Sequence, residues 1–392
     1  MATEIKNNIY SVGVLDGDRR LFDALIPLPE GTSYNSYLIK GSEKIALIDT
    51  VDPVKENELL ENLRSLGIDR IDYVIAHHGE QDHSGGIPAV LKAYPMAKVV
   101  TNTKCKDELK EHLLVSEDIF MVVNDGDSLS LGNKTLKFIF TPWVHWPETM
   151  VTFVPEDKTL FSCDFFGSHV GTASIFEHDD QLVYIAAKRY FAEIMMPFRV
   201  MIKNNLEKIK DLPIEIICPS HGPIHFKPNF IVDAYKDWTS DSVKNEVVIP
   251  YVSMHGSITE MVNYLIKNLQ EKGVVVKAFD LAKMDLGEVA MALVDAATVV
   301  IGTPTVLVGP HPLAVYVAYL FNALRPKTKY ASIIGSYGWG SKAVDQLKSM
   351  LTNVKVELLE PVYIKGFPKE NDFKALDRLV QTIKERHSGL ES

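Results

Sequence analysis

Cysteine is scarce in this sequence. Three cysteines occur among 392 residues, Cys105, Cys163 and Cys218, and they form no C-x-x-C pair. This odd, sparse set suits a reducing compartment, so we expect a cytoplasmic protein. It also excludes a rubredoxin-type iron site or a cysteine-ligated cluster within the chain. Cys163 stands beside Asp164 and Cys218 lies near His221, but a role as small buried strand residues explains both thiols better than metal ligation does.

The sequence also lacks surplus positive charge and long apolar runs. Lysine and arginine total 41 against 51 acidic residues, which gives a formal net charge of −10. Nucleic acids and anionic membranes both bind surplus lysine and arginine, so we predict neither as a partner. No stretch approaches the run of apolar residues needed to cross a bilayer, and the apolar stretch Leu160–Gly167 is interrupted by Asp164. Residues Met1 to Tyr10 carry no apolar or basic leader, so we expect no secretion signal.

A chain of 392 residues is too long for one ordinary core, which favours two domains. Up to about residue 245, short strands and helices follow each other in mixed order. The predicted strands are Lys44–Asp49, Tyr73–Ala76, Leu136–Phe140, Met150–Val154, Thr159–Cys163 and Ile214–Cys218. Helix Glu56–Leu66 carries its leucines on one face. Dense strands with interspersed helices predict two packed sheets with helices outside.

From about Val247 the pattern changes to a regular alternation of strands and helices. The predicted strands are Val247–Val252, Val274–Ala278, Thr298–Ile301, Tyr330–Ile334 and Val354–Leu359, and the predicted helices lie near 258–272, 286–295, 312–324, 341–352 and 370–386. Five β-α units of this length predict a parallel, doubly wound α/β sheet. The polar stretch Asp237–Glu246 is the predicted linker, which gives domains of residues 1–245 and 246–392.

Potential metal ligands are concentrated in the loop that follows strand Tyr73–Ala76. His78, Glu80, Asp82 and His83 fall within six residues. The end of a strand is a place where strand alternation and an irregular loop can turn several side chains toward one point. We therefore predict a metal site at this end of the strand.

Three later residues complete the candidate metal site. His145, Asp164 and His221 stand at strand ends or in equivalent turns. With the loop residues they make four imidazoles and three carboxylates, which is enough for two metals with two histidines each if one carboxylate bridges.

This ligand set resembles the metallo-β-lactamase signature His-x-His-x-Asp-His followed by His, Asp and His. Glu80 stands where that signature has its second histidine. Histidine-rich sites suit Zn²⁺, whereas more carboxylate oxygens stabilise a harder ion and Fe(III). With the eighteen residues from 146 to 163 between His145 and Asp164, the His-x-Glu-x-Asp-His pattern resembles that of flavodiiron proteins.

The resemblance implies a specific set of iron ligands. His78, Glu80 and His145 would hold one iron, Asp82, His83 and His221 would hold the other, and Asp164 would bridge them. His83 could instead turn away and leave a water in its place, and Zn²⁺ is the alternative metal. The residues expected to support the ligands or line the pocket are His77, Trp146 and His169, with a packing role as the alternative.

Three loops of the second half are the candidate flavin site. Ser253-Met254-His255-Gly256-Ser257-Ile258-Thr259 opens a helix after the first strand and offers backbone N–H groups to a phosphate. It resembles the Thr-x-Thr-Gly-x-Thr loop of flavodoxins, with Ile258 at the last threonine position and Thr259 as a substitute hydroxyl. The other two loops follow the third and fourth strands, where open α/β sheets bind ligands: Gly302-Thr303-Pro304-Thr305-Val306 and Gly335-Ser336-Tyr337-Gly338-Trp339-Gly340. Tyr337 or Trp339 offers a face for an isoalloxazine ring, and burial in the core is the alternative for Trp339.

The flavodiiron resemblance covers essentially the whole chain. It implies an N-terminal metallo-β-lactamase-like αββα sandwich and a C-terminal flavodoxin-like domain, with two non-haem irons and FMN. The implied reaction is reduction of O₂ to water or of NO to N₂O, without a preference between the gases. Electrons would come from an external donor, a rubredoxin or a reduced deazaflavin coenzyme, and the implied assembly is a head-to-tail homodimer or a homotetramer. The alternatives are a dinuclear zinc hydrolase fused to a flavodoxin-like domain, and a pure electron carrier whose metal half is a scaffold.

Overall fold

The computed structural model describes residues 2–171, 174–176 and 179–390. Contacts divide the chain into a first unit, Met1–Tyr190 with Phe198–Thr239, and a second unit, Phe191–Pro197 with Ser240–Ser392. This division falls six residues before the boundary predicted at 245. Within the described residues no helix combines the length and the apolar character that a membrane span requires.

The first unit consists of two main sheets, two small two-stranded sheets and seven α-helices among its described residues. Its strands are β1 (Thr3–Lys6), β2 (Ile9–Ser11), β3 (Val14–Asp16), β4 (Leu21–Phe22), β5 (Ile26–Pro27), β6 (Thr32–Tyr34), β7 (Tyr37–Lys40), β8 (Ile45–Ile48), β9 (Tyr73–Ile75), β10 (Lys98–Thr101), β11 (Phe120–Val122), β12 (Ser128–Ser130), β13 (Thr135–Phe140), β14 (Met150–Val154), β15 (Thr159–Cys163) and β16 (Ile216–Pro219). Its helices are α1 (Glu56–Ser65), α2 (Gln81–Ser84), α3 (Ile87–Ala93), α4 (Thr103–Leu113), α5 (Asp180–Tyr190), α6 (Arg199–Ile209) and α7 (Pro228–Thr239).

The two main sheets form the predicted sandwich. One sheet has the order β1-β2-β7-β8-β9-β10-β11 and the other has the order β12-β13-β14-β15-β16. Alternate residues of the first sheet point to opposite faces. Ile39 and Ile48 join Phe138 and Phe161 of the second sheet in one core, whereas residues of the other face pack with α1, α3 and α4. The two cores therefore place helices outside the first sheet, as the resemblance implied.

The second unit is a parallel sheet with helices on both faces. Its strands are β17 (Lys244–Tyr251), β18 (Val275–Asp280), β19 (Ala296–Val306), β20 (Gly309–Pro310), β21 (Tyr330–Tyr337), β22 (Glu357–Leu358) and β23 (Val362–Lys365). Its helices are α8 (Ser257–Glu271), α9 (Leu286–Leu293), α10 (Pro312–Leu324), α11 (Ala343–Met350) and α12 (Glu370–Arg386). The order β18-β17-β19-β21-β22, with β23 also beside β21, is the doubly wound order 2-1-3-4-5. The prediction of a doubly wound parallel sheet is confirmed.

Separate cores cover the two faces of this sheet. Val247 and Ile249 of β17 pack with α8 and α12, whereas Val248 between them packs with α9, α10 and α11. A strand buried on both faces has no polar alternation, which is why these strands read as continuous apolar runs.

The strand predictions in this unit were wrong in extent, most clearly for the third, fourth and fifth strands. The fifth strand, predicted at Val354–Leu359, is split into β22 and β23, and Pro361 lies between them without the N–H that a ladder requires. The third strand continues to Val306 and the fourth to Tyr337, so the beginnings of both predicted flavin loops are strand. Thr303 pairs with Gly335 and Pro304 with Ser336, whereas Thr305 pairs with Pro310 of β20. The β-branched residues after Gly302 favour this extension. The predicted linker was also too long, because 237–239 end α7 and 244–246 begin β17.

Leu265 on helix α8 allows a test of the core that lies between the second unit's sheet and helices α8 and α12. Leu265 is fully buried, whereas Leu307, at the β19–β20 turn, is 92% exposed. We expect Leu265→Ala to lower the free energy of unfolding by about 2–5 kcal/mol through lost burial and a cavity. The control Leu307→Ala should change it by less than about 0.5 kcal/mol. Urea unfolding followed by circular dichroism measures both, and equal effects would contradict this packing.

Candidate metal centre

The strands of the first unit end on one set of polar side chains. Strand β9 leads into His78, and Glu80 precedes the single turn of α2, which carries Asp82 and His83. Asp164 directly follows β15 and His221 lies just after β16, whose pairing is parallel. The remaining candidate, His145, lies in the connection between β13 and β14.

The first donor group consists of His78, Glu80, His145 and Asp164. The Oε2 atom of Glu80 lies 3.0 Å from His78 Nε2 and 3.1 Å from His145 Nε2. The Oδ2 atom of Asp164 lies 3.5 Å from each of these two nitrogens. Four potential ligand atoms therefore converge on one point.

The second donor group consists of Asp82, His83 and His221, and Asp164 adjoins it. The Nε2 atoms of His83 and His221 lie 3.1 and 3.4 Å from Asp164 Oδ1. The carboxylate of Asp82 lies 3.3 Å from His83 Nε2 through Oδ1 and 3.0 Å from His221 Nε2 through Oδ2. Asp164 thus directs one oxygen to each donor group, which is the arrangement of a bridging carboxylate.

The spacing and the unsatisfied atoms of these groups fit bound cations. Ligand atoms about 2.0–2.2 Å from one ion lie about 3.0–3.5 Å apart at common coordination angles, as they do here. Among the described residues, both carboxylate oxygens of Asp82, Asp164 Oδ2 and His83 Nε2 are buried without a hydrogen-bond partner. Buried polar atoms are normally paired, so such a concentration of orphaned atoms requires an explanation, and a pair of cations supplies one.

The carboxylates of the site are held in their ionised form. Burial alone raises the pKa of Asp164, but the imidazoles of His83 and His145 outweigh it and hold that pKa well below its usual range. Burial likewise raises the pKa of Glu80, and hydrogen bonds from His145 and His78 reverse the effect. An anionic, buried donor set is the environment that a multivalent cation stabilises.

Neighbouring groups orient two of the imidazoles. The Nδ1 atom of His78 donates a hydrogen bond to Glu148 Oε1 at 2.6 Å, and Nδ1 of His221 donates to the Ser33 carbonyl at 2.7 Å. Each bond directs Nε2 at its donor group, and with a cation bound it would keep the ring proton on Nδ1 and leave Nε2 as the ligand atom. Tyr190 donates a hydrogen bond of 2.8 Å to Asp164 Oδ1, the oxygen nearest the second donor group.

The three residues predicted to support or line the site differ in their roles. Both nitrogens of His77 are engaged, Nδ1 by Asp49 at 2.8 Å and Nε2 by Thr152 at 2.7 Å, so it holds strands together and is not a ligand. The ring of Trp146 stands edge-on to His78, with ring centroids 4.9 Å apart.

His169 packs against the second donor group. Its ring centroid lies 5.0 Å from that of His221, and its Nδ1 is 2.9 Å from Thr32 Oγ1. Burial, with His221 nearby, lowers the pKa of His169 well below its usual range, so its ring is neutral.

The candidate flavin residues gather at the carboxyl edge of the second unit. Ser257 and Ser336 share a hydrogen bond of 2.9 Å between their hydroxyls, so the first and third predicted segments meet. Gly256, at a φ of 85°, is the N-cap residue directly before α8, and a side-chain carbon there would meet nothing within 4 Å. Ile258 packs in the core, so only its backbone could face a phosphate.

Trp339 and Met254 line the outside of this edge. Their side chains are 79% and 52% exposed, which excludes the buried packing role considered for Trp339. Tyr363 on β23 was not predicted, yet its hydroxyl lies 2.7 Å from that of Thr305, and its ring is parallel to that of Tyr337 with centroids 6.2 Å apart. The edge thus offers hydroxyls, open glycine backbone and exposed aromatic faces together.

Comparison with known proteins agrees with both halves of the structure. The family described as ODP family beta lactamase matches residues 32–222, and the flavodoxin family matches residues 249–376. A nitric oxide reductase of Moorella thermoacetica is 36% identical in an alignment of 392 positions that covers 97% of this chain and 98% of that protein. A coenzyme F420H₂ oxidase of Methanothermobacter marburgensis is 33% identical, over 92% of this chain and 93% of its own. The structure of rubredoxin oxygen:oxidoreductase from Desulfovibrio gigas superimposes with a TM-score of 0.95 at 30% identity, covering 99% of both chains.

This chain belongs to the flavodiiron family. Membership confirms the predicted fold and the predicted enzyme class, an oxidoreductase. It also confirms the predicted cofactors, a non-haem di-iron centre and FMN. The assignment of individual ligands in this flavodiiron protein stays a prediction, to which the two donor groups give a geometry.

The bridging position of Asp164 can be tested by an isosteric change. Asp164→Asn removes the charge that faces both donor groups, so we expect iron to fall from about two per chain to less than one. FMN content should stay unchanged, because the flavin residues belong to a separate unit. The control is Asp157→Asn, which alters another buried carboxylate of the first unit, one paired with Lys134 away from the donor groups. Full iron content in Asp164→Asn would show that Asp164 is not the bridge.

Proposed function

We propose that this flavodiiron chain reduces O₂ to water or NO to N₂O at two irons held by seven residues, with FMN relaying electrons from an external donor. The observation that carries the proposal is the pair of donor groups that share Asp164, each with two imidazoles. When bound, two Fe(II) ions would supply two electrons, which with two protons is enough to convert two NO to N₂O and water, and reduced FMN would supply two more, which together with the first two makes the four that reduction of O₂ to two waters requires.

The proposed ligands are His78, Glu80, His145, Asp82, His83 and His221, with Asp164 common to both irons. Three carboxylates beside four imidazoles favour a harder ion than Zn²⁺, which supports iron. This composition argues against the zinc hydrolase considered as an alternative. An intact donor set likewise argues against a scaffold role for this unit.

Three of the proposed ligands are shielded from solvent, and a buried tyrosine beside them stays protonated. His78, Asp164 and His221 are at most 1% exposed, so charges at the site are weakly screened. The hydroxyl of Tyr190 is buried, and burial beside Asp164 raises its pKa well above the usual value. The Tyr190 hydroxyl therefore stays protonated and can continue to donate its hydrogen bond to Asp164 Oδ1.

The electron donor is proposed to be a separate molecule. All three cysteines are buried, and three thiols are too few for the four cysteine ligands of a rubredoxin-type iron site. The relatives named above are an F420H₂ oxidase and a rubredoxin:oxygen oxidoreductase, which makes a reduced deazaflavin coenzyme and a rubredoxin the two donors to test.

We further propose a cytoplasmic, head-to-tail homodimer or a homotetramer built from such dimers, in which the FMN of one copy faces the metal centre of its partner. Electron transfer requires the two cofactors to be close. The exposed Trp339 and Met254 give the flavin edge an apolar surface of the kind that contacts another chain. The scarcity of cysteine supports the cytoplasmic location.

One experiment separates this function from hydrolysis. Protein produced with iron and zinc both available is assayed for metal and FMN, then for anaerobic consumption of NO and for consumption of O₂ with each reduced donor. We expect about two irons and one FMN per chain, with turnover of at least one gas. Zinc in place of iron, together with no gas consumption in FMN-loaded protein, would contradict the proposal.

A further inference from the structure

The carboxylate that orients His78 is only half satisfied. Glu148 Oε1 accepts hydrogen bonds from His78 Nδ1 at 2.6 Å and from the Gly79 amide at 3.1 Å. Within the described residues, Oε2 of the same carboxylate is buried without a hydrogen-bond partner. A buried oxygen of an anion needs a donor, and the backbone around Glu148 supplies none to it.

A second carboxyl group faces the same place. Glu108, on α4, also has a buried oxygen, Oε2, that lacks a partner among the described residues. A side-chain carbon on Gly79 would lie 2.7 Å from Glu108 Oε2 and 3.5 Å from Glu148 Oε1, so both carboxyl groups crowd the same glycine. Asn102 fixes the start of α4 to this region, because its Nδ2 donates to the Glu148 carbonyl at 2.5 Å. The two carboxyl groups lie within hydrogen-bonding reach of each other.

Two carboxyl groups this close cannot both be anions, so one of them holds a proton. Glu148 is the anion, because it accepts hydrogen bonds from His78 and Gly79. The proton therefore belongs to Glu108. Burial and the neighbouring Glu148 raise the pKa of Glu108 to about 7, with the imidazoles of His78 and His112 opposing the rise.

We propose that Glu108 is a positioning residue of the metal centre: as a carboxylic acid it donates a hydrogen bond to Glu148 Oε2 and so holds the carboxylate that orients His78. The proposal rests on the ligand role of His78 given above. Glu108 touches neither metal nor substrate and acts only through Glu148. Histidine ligands commonly depend on such outer carboxylates for metal affinity.

The proposal makes metal retention depend on pH with a definite sign. At pH 6 Glu108 carries its proton and Glu148 is fully hydrogen-bonded. As the pH rises through about 7 the proton is lost, two carboxylates repel each other, and the hold on His78 loosens. Iron should therefore leave faster at pH 8 than at pH 6.

Iron release from the holoenzyme to an anaerobic chelator tests this at pH 6 and pH 8. The variants are Glu108→Gln, which keeps a neutral donor, and Glu108→Val, which removes it. The control is Glu111→Gln, because Glu111 is exposed on the same helix. The iron-release rate of each protein is divided by the rate of this control at the same pH. The ratio for wild-type protein at pH 6 is the reference value.

We expect Glu108→Gln to retain iron equally well at both pH values. Wild-type protein should release iron several-fold faster, relative to Glu108→Gln, at pH 8 than at pH 6. Glu108→Val should release iron about tenfold faster than the control at both pH values. If Glu108→Gln released iron as fast as Glu108→Val, or if Glu108→Val matched the control, the proposal would be overturned.

Circular dichroism of each variant checks that the chain is folded. If Glu108→Val does not fold, the pH profiles of wild type and Glu108→Gln decide alone, and identical profiles overturn the proposal. The variant His78→Ala separates this inference from the proposed function. Full iron retention by His78→Ala would remove His78 from the ligand set. If His78→Ala loses iron but the Glu108 variants release iron at the control rate, only the role of Glu108 is overturned.

Discussion

One carboxylate, Asp164, is the interaction on which the rest of the site depends. Its two oxygens face two separate pairs of imidazoles at 3.1–3.5 Å, and no other described residue joins both donor groups in this way. Asp164 follows β15 at the point where β9 and β16 also end, so the sandwich brings the ends of three strands together at the site. Asp164 is only 1% exposed, and burying its negative charge would be energetically unfavourable without a compensating partner. The surrounding imidazoles reduce that cost, and a cation pair would remove it.

The geometry explains why Glu80 matters to the choice of metal. A histidine at this position would favour zinc, whereas Glu80 Oε2 lies about equally far from two imidazole nitrogens, at 3.0 and 3.1 Å. A carboxylate at that point adds negative charge to the first donor group. At each donor group, the charge of a bound cation would be offset in part by one acid of its own, Glu80 or Asp82, and in part by the shared Asp164.

Sequence patterns predicted what depends on local order. The strand ends that carry His78 and Asp164, and the alternation that builds the second unit, were readable because periodicity and spacing are local properties. The limits of β19 and the split of the fifth strand were not, since sheet pairing and Pro361 decided them. Glu108, Glu148 and Tyr190 escaped prediction as parts of the site for the same reason. Each reaches the ligands only through the fold, and a lone glutamate or tyrosine carries no spacing signal.

The central claim is that two iron ions share Asp164. Anomalous diffraction from crystals of the iron-loaded protein, recorded on both sides of the iron absorption edge, tests it most directly. The account predicts two iron peaks, one beside His78 and His145 and the other beside His83 and His221, with one oxygen of Asp164 on each. A single peak, peaks that do not strengthen across the iron edge but appear above the zinc edge, or two peaks with Asp164 turned away from one of them would contradict it.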